Sequence, residues 1–584
     1  MTLSSRLCRA GSAAALALTL FAAGCANIPD QSTAQALQDG SKSGTDRIAE
    51  PNPKDDPMTL VRAFIEQAGN PAAAKTYLTD QARQTWPSDN LPTIIADSFN
   101  TAPPPVQERK AQGDDQTNEV TVLLTVTNVG RLGADGAFIP VVGTSSYEVV
   151  VRRAAVGDVW RIQSPPPNTV LITLPEFDRS YQQVRISFFD PGFRVVVPDL
   201  RYVPALPVGG VPDRVIRRLL EGPSETLRSA VRTELPSDTG LQTNVVSEPD
   251  GAWVVNLTRI GDKTQEERGL IAAQIVLSLK DVTRSQIRLL VDGHPLIPGH
   301  GGDWRPSDIP FYDTQTKPNA ELPGLFTANG RIFSLRDGAP IPGPAGDGEL
   351  KVQSAAQTVD GKNLAVVQEV PTGVRLRIGE MAGNLQEVDL KPSTLTRPTW
   401  LLGTPTAPSN EVWTVQNGVD VVRVVRTGNG SWVPSVVNAS ALKSYGTLTD
   451  LRLSRDGVRV AVVANGQVVV ASVMRDKDSV VINAPRALQM SQVHDVVGVD
   501  WHGLEEVVAA TRQSGQPVVS ISVDGFYLTA YSTSNLGTPV SAVAAAPDRD
   551  VVVTDRSGMW VASGAAQVWR LLHQVPGAHP FYPG

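Results

Sequence analysis

Cysteine is scarce in this chain of 584 residues, which contains only Cys8 and Cys25. Two cysteines so close to one terminus cannot build a disulfide framework or a thiolate-rich zinc site. The six histidines do not form an H-E-x-x-H pattern, so no metal or cofactor site is expected. An excess of positive charge is also missing, because 52 Lys and Arg face 59 Asp and Glu. Nucleic acid, which binds basic surfaces, is therefore not an expected partner.

Long hydrophobic runs are absent apart from one near the N-terminus. Arg6 and Arg9 precede an apolar run over residues 10–23 that only small residues interrupt. A helix needs about 20 apolar residues to cross a hydrocarbon layer, and this run is shorter. A basic start followed by a short apolar core is typical of a secretory signal segment. We predict that residues 1–24 are a signal peptide.

The residues around the predicted cleavage site account for Cys25. Ala22-Ala23-Gly24-Cys25 resembles the lipobox of bacterial lipoproteins. That resemblance implies that Cys25 becomes the first residue of the mature chain, as an N-palmitoyl and S-diacylglycerol cysteine. The alternative is an ordinary signal peptide that leaves Cys25 as a free thiol, but an unpaired thiol in a secreted protein is prone to oxidation. Two acyl chains anchor a protein stably, at about 0.8 kcal/mol per buried methylene.

The chain after Cys25 is long enough for three or four domains. Residues 25–53 show neither helical nor strand periodicity and are rich in Ser, Asp, Gln, Gly and Pro. We predict a flexible tether there, which would span on the order of 30 Å on average. Removal of residues 1–24 takes away two arginines and no acidic residue, so the formal charge changes from −7 to −9.

Residues 54–168 begin with helical patterns and continue with alternating strands. The apolar residues Leu60, Val61, Phe64 and Ile65 share one helical face, and a second helical stretch, AAAKTYLTDQARQTW, follows. The strand patterns EVTVLLTVTNV, SYEVVVRRAAV and VWRIQSPP come next. Helices followed by an antiparallel sheet resemble the NTF2-like α+β fold, a cone that often holds a pocket.

Residues 170–300 follow a different order. Two strand patterns, YQQVRISFFD and FRVVVPDLRYV, precede a helix that begins near Pro212 and stops at Glu221-Gly222-Pro223. A hairpin across Pro249-Asp250-Gly251, the apolar helix ERGLIAAQIVLSL and the strand IRLLVDG complete the region. This order resembles the GerMN domain, first described in spore-germination proteins.

Residues 310–584 contain an internal repeat. Five segments align at their central apolar residues, which are spaced 48, 48, 47 and 44 residues apart: Leu364, Val412, Val460, Val507 and Val551. Four-stranded sheets that recur every 40 to 50 residues or so are typical of a β-propeller. Five blades are visible, and the hairpin FTANGRIFSL (326–335) either belongs to a sixth or closes the ring. A string of β-sandwich strands is the alternative, but it lacks a fixed long period.

The sequence lacks the common catalytic motifs. There is no G-x-S-x-G nucleophile elbow and no P-loop. Residues 440–443, SALK, match S-x-x-K, but no K-T-G follows and their place between blades predicts a loop. The pairs Glu266-Glu267 and Glu505-Glu506 are adjacent in sequence, and solvated faces or turns explain them better than catalysis does. No catalytic residue is predicted.

The predicted chain is thus multidomain and β-rich: a lipidated tether, two α+β domains (NTF2-like, then GerMN-like) and a five- or six-bladed β-propeller. This order resembles the actinobacterial lipoprotein LpqB family. The resemblance implies an accessory protein, not an enzyme, lipid-anchored on the extracytoplasmic face of the cell membrane. Its implied partner is the extracytoplasmic domain of the Mtr sensor histidine kinase, whose signalling is linked to cell-wall metabolism and division.

Two other functions stay open from the sequence. A ligand sensor would bind a cell-wall fragment or small molecule in a deep pocket with a few convergent polar groups. A propeller-based hydrolase would have carboxylates or histidines with shifted pKa values in the central funnel. Such a site is built from residues scattered over several blades and leaves no linear motif in the sequence.

Overall fold

The structure, a computed structural model, describes residues 50–584 except 88–89, 106–117, 156–157, 301–302, 310–316, 404–407, 477–478 and 490–491. The predicted signal peptide, Cys25 and the tether up to residue 49 lie outside the described residues. Within the described part, no helix has both the length and the apolar character that crossing a membrane requires.

Three short helices open the first domain: α1 (Pro57–Glu66), α2 (Pro71–Thr76) and α3 (Asp80–Thr85). Each begins at a residue whose side chain accepts hydrogen bonds from the first free backbone N–H groups, namely Asp56, Asn70 and Thr79. The sequence predicted one continuous helix in place of α2 and α3. The structure divides it because Thr79 adopts an extended backbone and caps a new helix.

A seven-stranded sheet supports these helices, in the order β6-β5-β3-β1-β7 with β2 and β4 also paired to β3. β3 is fourteen residues long and pairs antiparallel with β1, β2, β4 and β5. β1 pairs parallel with β7. The apolar face of α1 packs on this sheet. The strands are β1 (Pro92–Ile95), β2 (Asn100–Ala102), β3 (Glu119–Leu132), β4 (Phe138–Pro140), β5 (Thr144–Arg152), β6 (Arg161–Ser164) and β7 (Val170–Thr173).

The second domain is an α+β unit, with a two-stranded sheet (β8-β9) and a six-stranded sheet around a buried helix, α6. Thr264 and Glu267 form a capping box that starts α6, and nine of its fifteen residues are buried. The elements are α4 (Leu174–Ser180), β8 (Tyr181–Phe189), β9 (Val196–Pro204), α5 (Val211–Leu220), β10 (Gly240–Leu241), β11 (Val246–Ser247), β12 (Trp253–Thr258), α6 (Gln265–Leu279), β13 (Ile287–Val291), β14 (His294–Pro295) and β15 (Asp303–Trp304).

Six blades form a closed propeller in the last part of the described chain. The first blade contains β16 (Leu325–Ala328), β17 (Arg331–Ser334) and, as its innermost strand, β38 (His579–Phe581). A short helix, α7 (Pro344–Asp347), leads to the second blade. That blade and the third contain β18 (Val352–Gln357), β19 (Asn363–Val370), β20 (Gly373–Glu380), β21 (Gln386–Glu387), β22 (Thr399–Trp400), β23 (Glu411–Gln416), β24 (Asp420–Arg426) and β25 (Trp432–Val436).

The fourth to sixth blades repeat the same four-stranded order. Their strands are β26 (Leu448–Leu453), β27 (Arg459–Ala464), β28 (Gln467–Arg475), β29 (Val480–Ala487), β30 (Val496–Trp501), β31 (Glu506–Thr511), β32 (Val518–Ser522), β33 (Leu528–Ala530), β34 (Ala542–Ala544), β35 (Val551–Thr554), β36 (Met559–Ala562) and β37 (Arg570–His573).

The sequence repeat maps onto one position of the blade. The five aligned apolar residues lie at the first or second residue of the second strand in blades two to six, and all are buried. The prediction of a β-propeller is confirmed. The predicted hairpin 326–335 supplies two strands of a sixth blade, and its ring position is completed by β38 from the other end of the propeller sequence.

Candidate functional site

The innermost strands of the six blades surround a central channel that contains a cavity of about 230 Å³. The strand pairing shifts by one residue at the same place in blades two, four and five. Such a bulge re-aims a side chain, and these bulges stand at the cavity wall. One residue from each blade lines the wall at this level: Gln353, Thr396, Thr449, Val497, Ser541 and His579. Four of these six, Gln353, Thr449, Ser541 and His579, are exposed to solvent, so this end of the channel is open.

An ion pair crosses the channel below this opening. The Arg397 guanidinium of the third blade lies 3.1 Å from Asp500 Oδ2 of the fifth blade. Arg397 Nη1 also donates to the carbonyl of Pro580 in the first blade, at 2.9 Å. Asp500 Oδ2 accepts in addition from the backbone N–H of Ala545 beside the sixth blade, at 3.3 Å. One charged pair thus ties four of the six blades together across the axis.

A second carboxylate, Asp450 of the fourth blade, lines the same cavity. It accepts from the backbone N–H groups of Leu451 (3.0 Å) and Val499 (3.2 Å) and from Arg452 (3.3 Å). Burial raises the pKa of Asp450 to about 6; Arg397 opposes this rise and Asp500 adds to it. The channel therefore contains one acid that exchanges its proton at mildly acidic pH.

The imidazole of His579 is the basic counterpart in the channel. Although part of His579 is exposed at the mouth, partial desolvation by the surrounding channel wall, and then the nearby Arg397 charge, lower the pKa of His579 below its usual value of 6.5. At neutral pH the ring is therefore uncharged and offers one donor and one acceptor.

The opposite end of the channel is closed by chain segments. Arg455 Nη2 donates to the carbonyl of Pro583 at 2.8 Å, and the backbone N–H of Gly584 donates to the carbonyl of Gln357 at 2.9 Å. Gln357 ends the innermost strand of blade two and Arg455 follows that of blade four, so residues 583–584 bridge two non-adjacent blades. Burial lowers the pKa of Arg455 to about 10.

The closed end faces the second domain. Arg459 Nη2, at the start of the second strand of blade four, donates to the carbonyl of Pro198. After the innermost strand of blade five, Glu505 Oε2 lies 2.6 Å from Arg185 Nε. Val458 belongs to the hydrophobic core of the second domain. The open mouth of the channel therefore lies on the propeller face away from this domain.

An aromatic cluster joins all three domains. Phe138 of the first domain, Phe177 and Tyr202 of the second and Phe526 of the propeller pack with ring centroids 5.0 to 6.4 Å apart. The Tyr202 hydroxyl is buried and donates to Asp524 Oδ2 of the propeller at 2.9 Å. Beside the cluster lies a cleft of about 580 Å³ between the three domains. These contacts make one body of residues 50–584.

The histidines and the other residues considered in the sequence lie in separate parts of the structure. His494 and His502 lie at opposite ends of β30, each next to its own carboxylate, Asp495 and Glu506. No group of three or more His, Cys, Asp or Glu side chains in the described ranges could hold a metal ion. Ser440 begins a 3-10 helix between blades, where the sequence predicted a loop.

The two acidic pairs have different surroundings. Glu267 is a helix cap, as turn chemistry predicts, but Glu505 pairs with Arg185 in the domain junction, where the sequence suggested a solvated face. Arg397, Asp450 and Asp500 were missed because each is an isolated charge in sequence. They lie in the first strand of successive repeats or just before it. Arg397 and Asp450 fall at the same repeat position and Asp500 lies two residues beyond it, so charges grouped around that strand were the signal that could have found them.

Family models match the chain in three consecutive parts. The model described as "Lipoprotein LpqB, N-terminal domain" matches residues 50–178, and "Lipoprotein LpqB beta-propeller domain" matches residues 330–583. Between them, the model described as "Sporulation and spore germination" matches residues 185–297.

Relatives are similar along almost the whole chain. "Lipoprotein LpqB" of Mycolicibacterium smegmatis is 29% identical over 600 residues, which cover 97% of this chain and 98% of the relative. "Lipoprotein LpqB" of Mycobacterium tuberculosis (strain CDC 1551 / Oshkosh) is 28% identical over 597 residues, with 96% and 97% covered. Among solved structures, a chain of a nidogen/laminin complex aligns with a TM-score of 0.32 and 9% identity, covering 44% of this chain and 97% of its own.

Proposed function

Because this chain belongs to the LpqB family of lipoproteins, we propose that it is a membrane-anchored accessory protein of a two-component sensor histidine kinase. In this proposal it binds the extracytoplasmic domain of an Mtr-type kinase and modulates signalling linked to cell-wall metabolism and division. The observation that carries the proposal is the match of the family along the chain, from residue 50 to residue 583.

The anchor supports this function energetically. Lipidation at Cys25 would confine the protein to the membrane in which the kinase resides, and sharing one membrane raises the effective concentration of the partner. A tether of the predicted length would let the folded domains reach a neighbouring extracytoplasmic domain. A weak contact then suffices for a regulated complex.

The domain junction supports it mechanically. The Arg185–Glu505 ion pair and the Tyr202–Asp524 hydrogen bond fix the second domain on the propeller. A partner that contacts one domain therefore meets a surface that has a fixed orientation relative to the other domains. A binding protein with such a junction can position a partner without any chemistry of its own.

The anchor is tested by two matched substitutions. We expect Cys25→Ser to release the protein into the soluble fraction or to leave it unprocessed, because the acyl chains have no other attachment point. Cys8→Ser should leave membrane retention unchanged, since residue 8 departs with the signal peptide. Fractionation with detection of the processed form measures both. Normal processing and full membrane retention of Cys25→Ser would contradict the assignment.

Kinase binding is tested with purified proteins and in cells. The Cys25→Ser protein should bind the purified kinase domain in solution with the same Kd as the lipidated protein in detergent, because the anchor lies outside the folded domains. It should nevertheless complement a deletion strain poorly at ordinary expression. Absence of binding at ~1 mM protein would refute the kinase proposal, since this is about the effective concentration that anchoring supplies.

The hydrolase alternative has its own test at Asp450. An enzyme that used the channel carboxylates would lose activity on cell-wall polymer in Asp450→Asn, and the variant would then also fail to complement. The accessory-protein proposal predicts no release of wall fragments by the wild-type protein and normal complementation by Asp450→Asn. Both losses together would replace the proposal with the hydrolase.

A further inference from the structure

The charged groups of the propeller channel already have partners within the protein. Arg397 pairs with Asp500 and with a backbone carbonyl, and Asp450 accepts from two backbone N–H groups and from Arg452. An incoming anion would face Asp450, and an incoming cation would face Arg397. A charged ligand would have to break one of these pairs in order to gain another, so the channel gives little preference to either sign.

Uncharged side chains at the open mouth keep hydrogen-bonding capacity that a ligand could use. The Thr449 and Ser541 hydroxyls each donate to a backbone carbonyl at 3.4 and 3.2 Å and keep acceptor capacity. Gln353 is exposed at the same level, and the uncharged ring of His579 offers one donor and one acceptor. Ser354 Oγ, at the cavity wall, has no hydrogen-bond partner in the described structure.

From this arrangement we infer that the channel mouth binds a neutral, hydroxyl-rich molecule of about the size of one sugar ring. The wall offers both donors and acceptors, and the hydroxyl groups of a ligand can pair with either kind. The cavity of about 230 Å³ is smaller than the roughly 300–1,000 Å³ typical of sites for drug-sized ligands, which excludes a long chain from full burial. The inference goes beyond kinase binding, because it assigns a small-molecule site to the channel that kinase binding does not require.

Gly498 provides a way to close the site without altering its polar groups. A Cβ at this position would lie 3.7 Å from Asp450 Oδ2 and 3.7 Å from Val543 Cγ1, which is ordinary contact, and its φ is not positive. The Cβ points into the channel, so Gly498→Leu would fill the cavity. Gly515→Leu is the matched control, because Gly515 lies in an exposed turn with open space around its Cβ position.

Ligand-observed saturation-transfer NMR on the full chain tests the inference, in a polyoxyethylene detergent that carries no sugar headgroup. The probes are glucose, N-acetylglucosamine and myo-inositol, with inorganic phosphate and choline as charged comparisons. At least one neutral probe should receive saturation, and neither charged probe should. Gly498→Leu should weaken binding of that probe at least tenfold, and Gly515→Leu should leave it unchanged.

A milder pair of variants keeps the test decisive if Gly498→Leu does not fold. Thr449→Val keeps the shape of the side chain and removes its hydroxyl, so it should weaken binding about three- to tenfold, the effect of one hydrogen bond. Thr529→Val, on an exposed outer strand of blade five, is its control. The inference is wrong if no neutral probe binds, if only phosphate or choline binds, or if the channel variants bind like their controls. Kinase binding by Thr449→Val should stay normal, which separates this result from the proposed function.

Discussion

At the scale of single residues, the channel shows how burial changes the behaviour of an ordinary aspartate. Asp450 and Asp500 belong to neighbouring blades and line or border the same cavity, but only Asp500 has an arginine partner across the axis. Asp450 has backbone donors and the more distant Arg452. The desolvation of its carboxylate is therefore only partly compensated.

The pH dependence of stability follows from this difference. The folded protein binds the Asp450 proton more tightly than the unfolded chain, whose pKa is near 3.8, so stability decreases as pH rises from about 4 to about 6. The difference between a pKa of 3.8 and one of about 6 corresponds to at most about 3 kcal/mol. We expect Asp450→Asn to remove this decrease, measured by calorimetric melting across pH 4–8.

The exposed Asp420 serves as the control for this prediction. Asp420→Asn should melt with the same pH profile as the wild-type protein, because its carboxylate is solvated in both states. An Asp450→Asn profile that coincides with the wild-type profile would show that Asp450 titrates normally.

At the scale of elements, local pattern predicted most of the propeller. The second strand of each blade is buried on both faces, so it appears in sequence as an apolar run at a fixed interval, and Leu364 to Val551 mark it. The pattern did not identify the complete first blade, because the innermost strand of that blade comes from residues 579–581, far in sequence from β16 and β17. The pattern did not identify the channel charges either, because only closure of the ring brings Arg397 beside Asp500.

If β38 closes the ring, the buried side chain of Phe581 should be important for the stability of the propeller. Its side chain is 3% exposed and packs with Leu325 and Ile332 of the neighbouring strands. Phe581→Ala should destabilise the propeller by about 3–5 kcal/mol, the usual effect of truncating a buried aromatic side chain. Leu571→Ala, on the exposed outer strand of blade six, should change stability by only about 0.5 kcal/mol. Chemical denaturation followed by tryptophan fluorescence measures both, and equal effects would contradict closure by β38.

At the scale of the whole molecule, the junction joins domains that the sequence predicted only separately. The aromatic cluster draws one or two rings from each domain, and Phe526 of the propeller lies more than 300 positions from the other rings. No local periodicity marks such residues, because their burial depends on the docking of folded domains. The order of the domains was predictable, whereas their contacts were not.

The Tyr202 hydroxyl tests how strongly the junction holds. Tyr202→Phe keeps the buried ring and removes the donor to Asp524, so we expect a loss of about 1.5–3 kcal/mol, as for hydrogen bonds to charged groups. Tyr527→Phe is the control, since Tyr527 is 45% exposed. Differential scanning calorimetry should show a melting temperature lower by a few degrees for the first variant only. Identical melting of both variants would mean that the hydrogen bond contributes little to docking.

The pairing of β16 with β38 also fixes the order in which the molecule can be completed during synthesis. Until residues 579–581 emerge, the first blade is a two-stranded hairpin whose strand β16 lacks one of its partners, and an isolated hairpin is marginally stable in water. The first two domains can fold before the blades have emerged. The propeller cannot, so each newly made molecule passes through an interval in which an open ring with unpaired strand edges is exposed to chaperones, proteases and other open rings.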